Sequence, residues 1–436
     1  MLRIMTGNRS LARNHDFTVL WVGQTVSELG SHVSMFVFPL LAYHLTGSAL
    51  AAAAAEALHL LGLAATLLPA GVLADRTDRR RLMRIASGGG ALLYASLAVA
   101  GIAGSLTVPH LMVVALLTGV GAGLFAPAET SAIRTVVPRA DLPTALSQNQ
   151  ARQHVAGLLG APLGGLLYGV TRWLPFVVDA LSFAVSWVLL GRIRTDLSAP
   201  APTGPRRRSR QDIAEGLRYT WSRPFFRVIV VWAPLTNLVI NALFFVALLR
   251  LIEGGFDPVH IGLVSTAAGL SGILGALVAP AIIDRVPTGW LTILAAWSFL
   301  PLLVPMVLWN HPAVVAAALS VGLFLNPAGN AGVGSYRIAV TPDALQGRIQ
   351  STMQFVSMSA MPLSPVLAGV LLSTLGGGRA VAVLGVLTAL VALIPTLSRT
   401  VRRLPRPRDW VTPEAGSESG PDPVSASPDR TAVPSG

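Results

Sequence analysis

The sequence predicts an all-α membrane protein: twelve transmembrane helices arranged as two parallel six-helix repeats. Three observations carry that prediction. The 436-residue chain is 53% hydrophobic and 12% charged, with a mean hydropathy of +0.63, whereas soluble domains carry about 25% charged residues. So few charges cannot clothe a water-facing surface, and most of the exterior must face lipid. Twelve apolar stretches approach the roughly 20 residues a helix needs to cross a bilayer. Finally, the sequence around the fourth stretch recurs around the tenth.

The twelve windows are 18–43, 49–73, 84–105, 109–131, 146–169, 174–192, 226–250, 259–282, 289–309, 312–333, 350–374 and 379–398. Turn-forming residues separate them, among them LTGS at 45–48, VPH at 108–110, TRWLP at 171–175 and LGGG at 375–378. Orientation follows from arginine, the only basic residue type besides histidine. With the N-terminus inside, only Arg172, Arg250 and Arg379 of the 32 arginines fall on outward loops; the other 29 lie on inward segments or inward helix ends. That bias places both termini in the cytoplasm, and the protein is expected in the plasma membrane.

The chain divides into a cytoplasmic N-terminus (1–17), a six-helix bundle (18–192), a cytoplasmic linker (193–225), a second bundle (226–398) and a tail (399–436). Residues 1–17 read as a lead-in without a cleavable signal. In the linker Ile213, Leu217 and Trp221 recur at helical spacing, which predicts a short amphipathic helix on the membrane surface. The Pro-, Ser- and Gly-rich tail is expected to be disordered.

Several functions are excluded. With no cysteine there are no disulfides or thiolate metal sites, and no other metal-ligand constellation is present. With no lysine there is no G-x-x-x-x-G-K-[ST], so this chain does not hydrolyse ATP through that motif. No catalytic motif appears, so the chain is not expected to be an enzyme. The net charge of +12 sits at helix ends, which argues for membrane orientation and against nucleic acid.

The repeat is seen in FAPAETSAIRTVVPRADLPTALS (125–147) and FLNPAGNAGVGSYRIAVTPDALQGRIQS (324–351), with Ser147 and Ser351 equally far beyond Pro138 and Pro342. GVLADR (71–76) has a weaker echo in APAIIDR (279–285). Parallel six-span repeats around a midplane site are the plan of a secondary transporter.

Gly71-x-x-x-Asp75-Arg76-x-x-Arg79 resembles the signature loop of the major facilitator superfamily. The first span, PAETSA…VVPRADL…ALS and PFVVDALSF (175–183) resemble its drug-efflux and siderophore-exporter branch. The chain departs from that pattern at Asp78, an extra acid in the loop, and at GAPLGG (160–165), where Pro162 stands one place nearer the glycine pair. The resemblance implies a proton-driven exporter of hydrophobic or amphipathic small molecules, working as a monomer by alternating access, with no cofactor beyond the proton gradient. It also implies a gating charge relay of Asp75, Arg79 and Glu129, with Gly71 and Arg76 in the same loop. Import of a small metabolite and a non-transporting sensor remain the alternatives, as does a simple pairing of Glu129 with Arg134.

Acids at lipid depth are costly and need a partner or a function. Glu28, Glu56 and Asp179 are therefore candidate proton-coupling groups, the alternatives being a cavity-facing carboxyl or, for Asp179, a hydrogen bond to a neighbouring helix. Asn237 and Asn241, one helical turn apart after Pro234, are candidates for a substrate cavity or for interhelical hydrogen bonds. Gly160, Pro162, Gly164 and Gly165 suit close helix packing, since small residues let backbones approach in lipid.

Overall fold

A computed structural model describes residues 11, 13–74, 76–198, 218–341 and 343–407. The first bundle consists of α1 (His15–Thr46), α2 (Ala49–Ala74), α3 (Arg79–Ile102), α4 (Val108–Val136), α5 (Leu142–Val170) and α6 (Leu174–Leu190). The second holds α7 (Pro224–Glu253), α8 (Pro258–Arg285), α9 (Thr288–Trp297), α10 (Leu303–Leu308), α11 (Pro312–Phe324) and α12 (Asn326–Ala339). It continues with α13 (Asp343–Met358), α14 (Leu363–Leu375), α15 (Gly377–Leu397) and the short α16 (Arg399–Arg402).

These helices form the twelve expected rods, because α9–α10, α11–α12 and α13–α14 each make one rod broken in the middle. Among the described residues, eight helical stretches are long and apolar enough to cross a membrane by length and composition. Helices α1 and α5 have the length but are less apolar. Apolar side chains such as Leu92 and Leu277 stay exposed on the outer faces, as a lipid-facing surface requires.

Local chemistry sets the helix ends. Asn14 caps α1 by accepting the Phe17 N–H, and Gly47, at φ 66°, ends it. Asp78 caps α3: its Oδ1 accepts the Arg80 N–H at 2.9 Å. That contact gives the unexpected loop acid a plain structural task. The breaks follow prolines: a 3-10 turn at Leu300–Leu302 contains Pro301, Pro327 opens α12 and Pro362 precedes α14.

Two terminal expectations change. The tail is not disordered from 399: Val401 and Leu404 are buried beside Phe225, Phe226 and Ile229. The backbone N–H groups of Thr288 and Gly289 donate to Pro405 and Leu404. Two apolar residues three apart suffice to seat this segment, whereas 408–436 lies outside the described residues. Likewise 193–198 is less a free linker than a strap. Ile193 and Leu197 are buried with Leu11, Phe17 and Met83, and Asp16 accepts Arg194 N at 3.0 Å, Thr195 N at 2.8 Å and Thr195 Oγ1 at 2.5 Å. Burial pulls the Asp16 carboxyl up, but the hydrogen bonds from Thr195, His15 and the Arg194 backbone outweigh it and hold it well below the usual carboxylate range. Of the expected linker helix, Ile213 and Leu217 lie outside the described residues, and Trp221 is exposed.

The bundles meet at the end distant from the two termini. On α5 and α8, a Cβ at Gly165 would lie 2.4 Å from the Pro258 carbonyl, and one at Gly262 2.6 Å from that of Ala161. On α2 and α14, Gly369 faces Leu50 and Ala53. Toward the other end Gly272 has nothing within 4 Å.

Candidate functional site

The first bundle concentrates charge. Glu28 on α1, Glu129 on α4 and Arg152 on α5 meet at a single guanidinium nitrogen: Arg152 Nη2 stands 2.8 Å from Glu129 Oε1 and 3.0 Å from Glu28 Oε2. The Glu129 contact is a hydrogen bond. The Glu28 contact has ion-pair distance without hydrogen-bond alignment. Arg152 is sealed at 2% side-chain exposure, while Glu28 keeps 22%. Nε and Nη1 of Arg152 make no hydrogen bond within the protein. Two carboxyls against one guanidinium leave the cluster one positive charge short when both are ionised.

Glu129 thus pairs with Arg152 and with neither Arg79 nor Arg134. Arg79 donates to the Ala74 carbonyl at 3.3 Å and to Thr135 Oγ1 at 3.2 Å, and makes no ion pair among the described residues. Asp75 lies outside the described residues. A Cβ at Gly71 would meet nothing within 4 Å, so no helix closes on it where the bundles part; Arg76 is exposed. In sequence Arg152 reads as one of the inward-end arginines. The available clue was its place ten residues into an apolar rod, where a charge costs a few kcal/mol.

The remaining acids stand apart from this cluster. Asp179 is fully buried on α6, accepts from Ser182 Oγ at 3.0 Å and packs against Gly30 of α1. Glu56 is buried on α2 and makes no ion pair among the described residues. Gly160 and Gly164 let α1 approach α5 at His32 and Val33, while Gly165 and Pro162 face α8. Helix α5 therefore touches both bundles and carries Arg152.

The second bundle is neutral where the first is charged. A cavity of about 380 Å³ lies among α7, α9, α12, α13 and α15, and Asn237 and Asn241 both line it. So do residues at all three helix breaks: Phe299, Asn326 and Met361. In lipid, irregular backbone survives only inside protein or along a cavity. The freed groups are met by side chains: Asn237 Nδ2 donates to the Ser357 carbonyl at 2.8 Å, and Ser298 Oγ to Gly322 O at 3.1 Å.

A family model described as Major Facilitator Superfamily matches residues 20–288. The chain belongs to this superfamily. It is a multi-pass membrane transporter with the superfamily's twelve-helix fold, and not an enzyme. The multidrug efflux pump Tap of Mycolicibacterium fortuitum is 28% identical over 80% of this chain and 87% of its own length. Among solved structures, a bacterial homologue of the iron transporter ferroportin in its inward-facing state matches with a TM-score of 0.69 at 16% identity, covering 89% of this chain and 98% of that one. Its outward-facing state scores 0.54 at 18% identity, covering 87% and 98%.

Proposed function

We propose that this transporter exports an amphipathic small molecule in exchange for protons, as a single chain with both termini in the cytoplasm of the plasma membrane. The observation that supports coupling is the Glu28–Arg152–Glu129 cluster. Its charge shortfall gives one carboxyl reason to hold a proton, and Glu28 is the more exposed and the less well bonded of the two. A proton on Glu28 would release Arg152 to Glu129 alone, and its loss would draw the guanidinium back. Because α5 packs on both α1 and α8, such a shift acts where the bundles touch.

Export is supported by the efflux pump among the relatives, and the cytoplasmic termini by the arginine bias. In this orientation the bundles close on the outer side, and the site opens inward to receive cargo.

A susceptibility screen of a sensitive host with and without the gene identifies a compound, which is then followed in proteoliposomes under an imposed pH step. Glu28→Gln is expected to abolish the response to the step while leaving downhill movement. A full response in the variant refutes coupling at Glu28.

A further inference from the structure

The cavity of the second bundle carries its own chemical preference. Among the described residues its lining contains no Asp, Glu, His, Lys or Arg. A charged group seated there would lose its hydration without gaining a counter-ion, which is costly. Beside the amides of Asn326, Asn330 and Gln354, the walls carry adaptable apolar side chains, Phe299, Met358 and Met361 among them.

The polar groups of the lining are unevenly committed. Asn237 Nδ2 donates to Ser357 O and Asn241 Nδ2 to Asn237 O at 2.7 Å. Both acceptors are main-chain carbonyls, which only accept, so the amide orientations are fixed and the two side-chain oxygens are left free to accept. Trp232 Nε1 and Thr236 Oγ1, on the same helix, are buried and make no hydrogen bond within the protein. Buried polar groups are nearly always hydrogen-bonded. Here four uncommitted groups of both senses, donor and acceptor, fall within three turns of α7.

We propose that this cavity binds an uncharged amphipath bearing hydroxyls and carbonyls. Its oxygen-rich edge lies on Trp232, Thr236, Asn237 and Asn241, and its apolar body on the Phe and Met walls. The indole N–H serves a ligand carbonyl, and the amide oxygens and Thr236 serve hydroxyls. The assignment rests on the transport reading above, which makes this the cargo's seat, but equilibrium binding needs no gradient and so separates the two.

The probes are tritiated hydrocortisone, which has three hydroxyls, and progesterone, which has ketones alone, bound to the full chain in nanodiscs. Thr236→Val removes a hydroxyl with no internal partner, so the protein keeps or gains thermal stability. It is expected to weaken hydrocortisone roughly three- to tenfold and to spare progesterone. Trp232→Phe weakens both steroids by a similar factor. Glu28→Gln leaves hydrocortisone binding intact whatever it does to pH-driven flux. Absence of saturable hydrocortisone binding, equal loss of both steroids in Thr236→Val, or loss of binding in Glu28→Gln overturns the assignment.

Discussion

Pro39, Pro69, Pro127 and Pro162 all lie inside helices of the first bundle without interrupting them. In the second bundle, three of six rods break, and every break lines the cavity. Unbroken helices hold side chains at fixed separations, which a guanidinium shared between two carboxyls requires. Broken helices release carbonyls and expose amides, giving the cavity a neutral lining. Both bundles descend from one plan, yet charge gathers in one and irregular backbone in the other. In the mechanism proposed here, energy coupling and cargo recognition are therefore separable by mutation.

Arg152→Met tests that separation most severely. It leaves two carboxyls without their cation, and breaking a buried pair this way costs about 3–5 kcal/mol. Flux is expected to fall at least about a hundredfold, and adding Glu129→Gln should restore protein yield but not the response to a pH step. Normal coupled flux in Arg152→Met would collapse the distinction between the bundles. Asn237→Leu is the counterpart on the other side. It strands the Ser357 carbonyl at a cost of about 1–3 kcal/mol, so KM should rise about tenfold while the pH response persists; a lost pH response would mean that the bundles are not separable.

The smallest effect is expected at the strap. Asp16→Asn weakens the hydrogen bonds to Arg194 and Thr195, lowering thermal stability by about 1 kcal/mol at neutral pH. The folded-state carboxyl titrates below its unfolded value, so the wild-type advantage is full above that unfolded value of about 3.9 and fades as pH falls further. Melting curves of both proteins from pH 7 to 3 check the sign, and flux at pH 7 should be unchanged.

The rods were legible because a run of some twenty apolar residues has few other uses. The breaks were not: Pro301 and Pro362 look no different in sequence from Pro39 or Pro162, and only the neighbours of a freed carbonyl decide whether a rod survives. Asn237 and Asn241 could be placed on one face from spacing alone, and they line the cavity together. Glu28 and Glu129 stand out in the sequence as acids at lipid depth, whereas Arg152 is one of 29 arginines that the inward bias already accounts for. Its pairing joins α5 to its neighbour α4 and to the distant α1, and no local pattern encodes that. Composition predicts disorder for the whole tail because residues beyond 408 dominate it, whereas two apolar side chains determine how 399–407 sits.

The strap and the docked tail also bear on how the molecule can be made. Residues 193–198 are held by Asp16, Arg79 and Arg80 of the first bundle, and 401–405 by α7 and α9 of the second. Each bundle thus finishes the edge on the side of the termini from its own stretch of chain. A gene split within 199–217 would yield two polypeptides, each with its cap intact, that can meet again through the glycine crossings of α5 with α8 and α2 with α14.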